Sequence, residues 1–422
     1  MIVWRVRLLL GLAFLATGAP YVASGFGRTG AADDLALVNA KIYPSPSDPA
    51  IDSGSILIHD GRIVTVGPGP TIRIPGDVPV VDCHGLIVTA GFWNSHVHIL
   101  TPGLLQARAS ATSKLNEELD SMFNRWGFTT VFDLSSVLDN TLALRRRIDG
   151  NELRGPRLLT VGEPVWTMPP VYVLNVLAAN HIDIPNTATP EQAITLVRDH
   201  AGKGANGIKL FTGSYQGKGE VAGLPLPVAK AAVEEAHRRG MPVFAHPHDE
   251  NGVNVAVDSG VDVLAHTVPQ SPPWNAEFVS RLKGAKLALI PTLTLYDVEA
   301  RKGNDSAPDR DAWIARMVAE VRAYANAGGD ILFGTDIGYI DHYDTKLEFT
   351  LMSQAGMNYQ QILASLTTNP ARKFGYAGRI GRVAAGMDAD LTVLGADPAQ
   401  DVAAFSLVQY AIRNGKIVYA RK

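Results

Sequence analysis

Gly91-Phe92-Trp93-Asn94-Ser95-His96-Val97-His98 directly follows the β-prone run Leu86-Ile87-Val88-Thr89-Ala90. Branched Cβ atoms favour extended backbone, and if that backbone continues through the histidines they lie on a strand. Side chains two apart on a strand share a face, which sets His96 beside His98. Two imidazoles so placed can chelate a divalent cation. An isolated H-x-H motif recurs by chance, however, and two half-buried histidines at a strand end satisfy it as well. The sequence on either side decides between the two readings.

Downstream, strand-like and helix-like segments alternate from about His96 to Gly375. The strand candidates are Phe128 to Leu134, Arg157 to Val161, Gly207 to Phe211, Pro242 to His246, Val261 to His266, Leu287 to Thr292 and Asp330 to Thr335. With the strand before His98 they make eight. Helix-like stretches such as Val228 to Arg239 and Ala312 to Ala327 lie between them. Alternation over ~280 residues predicts an α/β fold built as a (β/α)8 TIM barrel. An open doubly wound sheet competes, but no Gly-x-Gly-x-x-Gly follows a first strand.

Both ends of the chain are β-rich. Asp60-Gly61 and Asn414-Gly415 are hairpin turn signals flanked by alternating strands. The two ends are expected to pair into a small composite β-sandwich domain. The predicted organisation is a signal peptide over 1–24, the N-terminal β-sandwich segment over 35–90, the barrel over 91–375 and the C-terminal β-sandwich segment over 376–422.

The 422 residues are 46% hydrophobic and 19% charged, which suits a large-cored globular enzyme. A net charge of -3 supplies no electrostatic pull toward nucleic acid or anionic membrane. Arg145-Arg146-Arg147 reads as a solvated helix face. The single cysteine, Cys83, excludes an intrachain disulfide and a cysteine zinc cluster. Arg5 and Arg7 precede an apolar stretch from Leu8 to Ala16, with Val22-Ala23-Ser24 as a cleavage site. That pattern predicts an exported protein, periplasmic or secreted, with no membrane attachment after cleavage.

In a barrel, the C-terminal ends of the strands converge on one site. His96 and His98, Lys209 in an apolar run, His246, His266 and Asp336 all fall at such ends. Each has an ordinary explanation: a paired buried lysine, a satisfied core histidine, a helix-capping aspartate. All of them holding at once, each at a strand end, is the weaker account. Neutral imidazoles suit zinc and similar ions. An ammonium has no lone pair for a metal, but a deprotonated Lys209 amine could capture carbon dioxide as an anionic carbamate.

This set resembles the amidohydrolase superfamily, in its imidazolonepropionase-like and prolidase-like branch. The matching residues stand in Asn94-Ser95-His96-Val97-His98, Gly207-Ile208-Lys209-Leu210-Phe211, Phe244-Ala245-His246-Pro247-His248, Leu264-Ala265-His266-Thr267 and Gly334-Thr335-Asp336-Ile337-Gly338. The resemblance implies two divalent ions: zinc by preference, with manganese, cobalt or iron also compatible. His96, His98 and Asp336 would hold one and His246 and His266 the other, with carboxylated Lys209 and a hydroxide between them. Asp336 would act as general base and then acid.

The implied function is hydrolysis of a small-molecule amide or peptide C–N bond. The candidate substrates are a dipeptide, an Xaa-Pro peptide, an N-acyl amino acid or an aromatic amide such as ochratoxin. Alternatives are a single-metal cyclic amide hydrolase or deaminase, and a non-catalytic barrel serving as a binding protein. The resemblance also admits a homo-oligomer. Tyr296 is placed to donate to an oxyanion, while His248, Tyr215, Tyr172 and Tyr339 are candidates to touch substrate. Asp249 is a candidate to touch substrate or to orient a ligand.

Overall fold

The runs before and after Gly91 enter different sheets. The computed structural model describes residues 34–179 and 187–422, so the leader at 1–24 lies outside the described residues. The N-terminal segment forms β1 (Leu35–Ile42), β2 (Ile51–His59), β3 (Arg62–Pro68), β4 (Val80–Asp82) and β5 (Ile87–Ala90). The middle forms β6 (Phe92–Val97), β7 (Phe128–Asp133), β8 (Arg157–Thr160), β9 (Ile208–Phe211), β10 (Gly213–Gly217), β11 (Glu220–Gly223), β12 (Val243–His246), β13 (Val263–Ala265), β14 (Ala288–Ile290) and β15 (Asp330–Ile331). The C-terminal segment forms β16 (Leu391–Leu394), β17 (Val408–Arg413) and β18 (Lys416–Ala420).

The strand-prone run divides at Gly91 into β5 and β6. There the amide donates to Asp390 O at 2.7 Å, and an added Cβ would collide with Thr129. This close approach lets the chain leave one sheet for another.

The two ends of the chain do share a sheet. Its order is β18-β17-β16-β5-β1-β2-β3, with β4 also on β1. Its eight strands are continuously hydrogen-bonded, and Leu37, Ile56 and Ile58 of the N-terminal half share one core cluster with Leu391, Val393 and Ile412 of the C-terminal half. β5 pairs with both β1 and β16 and so joins the two halves. The hairpin turns form as the dipeptides demand, with positive φ at Asp60, Gly61, Asn414 and Gly415.

The central strands are all parallel apart from the β10–β11 hairpin, and form a five-stranded sheet β15-β14-β13-β12-β9 and a three-stranded sheet β6-β7-β8. Backbone hydrogen bonds bridge the two sheets on both sides. Ser95 N donates to Phe333 O at 2.8 Å on one, and Asn206 N to Thr160 O at 2.7 Å on the other. Alternate strand residues belong to two cores. Trp93, Phe132, Leu159, Phe244 and Ile290 form one cluster. Phe92, Val131, Leu158, Val243 and Leu289 join the other, which the helices also line. Strands buried on both faces read as continuous apolar runs.

The helix Leu226–Arg238 shows the matching pattern, burying Ala229, Ala232, Val233 and Ala236 along one stripe. Arg145 and Arg147 are not simply solvated. Arg145 bonds Asn206 and Gly204 O, while Arg147 bonds Glu152 and two loop carbonyls.

Candidate metal centre

Every strand-end residue singled out from the sequence opens into one cavity of about 560 Å³. His96, His98, Lys209, His246, His266 and Asp336 line it, together with Tyr172, Tyr215, His248, Tyr296 and Tyr339. Ring centroids run in a chain, with His98 to His96 at 5.2 Å, His96 to His266 at 4.6 Å and His266 to His246 at 4.7 Å. Potential ligand atoms of His96, His266 and Asp336 all lie within 4.8 Å of one another.

The hydrogen bonds fix which ring nitrogens face inward. His98 Nδ1 lies 2.8 Å from Ser135 O. A carbonyl has no proton, so Nδ1–H donates. Nε2 then faces Asp336 Oδ1, 2.8 Å away. A proton or a metal ion held between these two atoms would satisfy both. His96 Nε2 is 3.1 Å from the same Oδ1, and its Nδ1 is buried without a hydrogen-bond partner. A proton could serve His98 alone. The further imidazole nitrogens crowding one carboxylate fit a metal ion.

The electrostatics agree. Burial, reinforced by Lys209, lowers His96 to about 3 and also keeps His246 and His266 neutral. Burial alone would raise the Asp336 carboxyl, but His96, His98 and His266 outweigh it and hold it well below the carboxylate range. Lys209 is 1% exposed, and burial lowers its amine to about 7. Among the described residues no carboxylate pairs with it. Neutral imidazoles, an ionised carboxylate and a readily deprotonated amine are the states in which these groups bind metal.

Backbone strain concentrates here. His248, His266, Thr292 and Asp336 all have positive φ. Gly334 and Gly338 bracket Asp336. An added Cβ would strike His96 and Ile290 at the first, and the carbonyl of His98 at the second. The glycines therefore bring the Asp336 loop against the H-x-H strand, where Asp336 N donates to His96 O at 2.9 Å.

Other expectations resolve differently. The Tyr296 hydroxyl donates to Thr267 O at 2.6 Å, so its proton is committed and the oxyanion role is not supported. Asp249 caps the helix Glu250–Ser259 by accepting from Gly252 N at 2.7 Å. Tyr215 sits on the β10–β11 hairpin and stacks on His248 with centroids 5.1 Å apart. Tyr172 packs on Tyr339 at 5.2 Å, its hydroxyl 3.4 Å from His246 Nε2. Phe211, Glu299, Asp305 and Trp313 also line the cavity. Only Phe211, two residues from Lys209 on the same strand face, carried a signal that could have been read.

The Amidohydrolase family matches residues 87–418, and the chain belongs to it. An imidazolonepropionase from Thermoplasma acidophilum is 23% identical over 437 residues, covering 96% of each chain. A solved structure of a candidate prolidase from Bifidobacterium longum superposes with TM-score 0.77 at 25% identity, covering 92% of this chain and 94% of that one. A Xaa-Pro dipeptidase with methionine bound in its active site gives 0.78 at 22% identity, over 92% and 100%. The protein is a metal-dependent hydrolase acting on C–N bonds, with a TIM-barrel-like fold and an additional domain.

Proposed function

We propose that this enzyme is an exported binuclear amidohydrolase with its eight central strands forming one closed cylinder, and that it cleaves a small amide bearing an apolar or aromatic group. The observation that carries the reading is the convergence of His96, His98 and His266 nitrogens on the Asp336 carboxylate, beside a buried Lys209 that pairs with no carboxylate among the described residues. His96, His98 and Asp336 would hold one ion and His246 and His266 the other, and Lys209, as its carbamate, would supply a further anionic ligand. When bound, the ions polarise the scissile carbonyl and lower the pKa of the attacking water.

Asp336 accepts the proton of that water and delivers it to the leaving amine. Its depressed basicity is what the three imidazoles impose. Tyr172, Tyr215, Phe211, Tyr339 and Trp313 supply a wall for an aromatic or apolar group and help exclude water. Relatives of this fold include the Xaa-Pro dipeptidase above and an Aspergillus niger ochratoxinase, whose names fit an amide of that kind.

The compact His96, His266 and Asp336 cluster also favours a second reading, in which one ion suffices and a cyclic amide is opened, as the imidazolonepropionase relative's name suggests. Metal analysis with a hydrolysis panel separates the two. The first reading expects about two equivalents and hydrolysis of open-chain amides. The second expects one equivalent and activity on imidazolones. Lys209→Ala should lose most activity and one equivalent of metal. Full activity with unchanged metal would reject the ligand role.

Export rests on the basic and apolar pattern before residue 24. It predicts a periplasmic or secreted product whose sequenced N-terminus begins after that point.

A further inference from the structure

Between β14 and the helix Leu293–Lys302 the chain turns through Pro291 and Thr292. Thr292 is left-handed, with φ 49° and ψ 50°. A β-branched residue rarely adopts that conformation, because its Cβ crowds the following carbonyl oxygen. The strain brings Thr292 Oγ1 within 2.7 Å of His266 Nδ1. The hydroxyl proton goes to Pro291 O at 2.8 Å. Its lone pair therefore accepts from Nδ1–H, which leaves Nε2 of His266 as the atom facing the cavity.

What holds the turn is a carboxylate from a remote helix. Glu348, on the helix Lys346–Gln354, is completely buried. Its Oε1 accepts from Leu293 N at 2.8 Å and its Oε2 from Thr294 N at 2.7 Å. These are two of the amides that a helix leaves unsatisfied in its first turn. No arginine or lysine pairs with Glu348 among the described residues. Burying a carboxylate for two backbone amides is costly, and such an arrangement persists where it fixes geometry elsewhere. The residue next to both amides is Thr292.

We propose that Thr292 and Glu348 are positioning residues for His266. Glu348 clamps the first turn of the helix and so locks Thr292 in its left-handed state, and the Thr292 hydroxyl sets the tautomer and heading of the imidazole. The proposal rests on His266 being a metal ligand. Two readouts keep its failure distinct from the failure of that assignment.

The first is the tautomer of His266 in metal-free, 15N-histidine-labelled protein. Wild type and Thr292→Ser should carry the proton on Nδ1, and Thr292→Val should lose that preference. The second is zinc affinity, measured by competition with a chromophoric chelator. Thr292→Val should weaken one zinc equivalent about 10- to 100-fold, with Thr292→Ser restoring it.

Glu348→Gln should weaken the same equivalent, and the double variant Thr292→Val/Glu348→Gln should bind no worse than Thr292→Val alone. Should the glutamine variant not fold, Glu348→Asp keeps the charge but shortens the reach, and is read in the same way. A Thr292→Val protein with the wild-type tautomer and zinc affinity overturns the proposal. Unchanged affinity in a folded Glu348 variant overturns the clamp. Wild-type protein that binds no zinc yet shows the expected tautomer change would instead reject the ligand assignment and leave the positioning network standing.

Discussion

Glu320 is a buried carboxylate that contributes to the pH response of the fold. It is 2% exposed, accepting from Val268 N at 2.8 Å and facing Ser271 and Arg316. Burial raises it from 4.5 to about 8, against the pull of those three neighbours. A carboxyl whose folded pKa exceeds its unfolded one binds more protons in the folded state. Its contribution to stability is therefore full below about 4.5 and is lost as pH rises toward 8. Glu320→Gln keeps an acceptor for Val268 N and removes the charge. Thermal unfolding from pH 4.5 to 9 should fall less steeply in this variant, with a gain at pH 9 on the order of a few kcal/mol. Parallel curves for the two proteins would contradict the assignment.

At the scale of elements, the loop after β15 shows how closely backbone must approach backbone to build the centre. Gly338 has φ 97°, and a Cβ there would enter the His98 carbonyl. Gly356 has φ 90° but open space around it. Gly356→Ala should cost only the left-handed penalty of about 1–2 kcal/mol. Gly338→Ala should cost distinctly more and also lower metal content, because Asp336 and His98 are displaced together. Equal losses of stability and equal metal content in the two variants would mean that the contact yields easily.

The same loop marks what a sequence can disclose. His96, His98, Lys209, His246, His266 and Asp336 were legible because strand ends place them by local pattern. Ser135, Thr292 and Glu348 were not, since each acts through a partner 26 or more residues away. The β10–β11 hairpin was equally hidden, because glycine is a poor strand former and Gly213, Gly217, Gly219 and Gly223 all fall within it. The boundary at Gly91 was legible only as the change from a β-rich end to an alternating middle. The strand propensity is continuous across it, and only the distant Asp390 and Thr129 force the chain to change sheets.

For the whole molecule, the question is what ties the terminal sheet to the parallel strands. Arg157 begins β8, at the end opposite the metal centre, and reaches two buried carboxylates of the C-terminal segment. Its Nη1 is 2.9 Å from Asp390 Oδ2 and its Nη2 is 3.3 Å from Asp388 Oδ2. Asp388 also meets Arg379 at 2.7 Å, and Asp390 accepts from Asn414 N at 2.8 Å. Removing one partner of a buried pair leaves an uncompensated charge, typically worth about 3–5 kcal/mol. Arg379 softens that loss for Asp388, whereas Asp390 keeps no other side-chain cation among its described salt bridges.

Arg157→Ala should therefore lower the unfolding temperature by several degrees, and Asp390→Asn in the same chain should recover some of the loss by removing the stranded charge. Metal content and activity at 25 °C should stay at wild-type levels, because the bottom face of such a fold serves stability and the top face serves chemistry. A fall in metal content in step with stability would show instead that the terminal sheet helps shape the centre across the length of the strands.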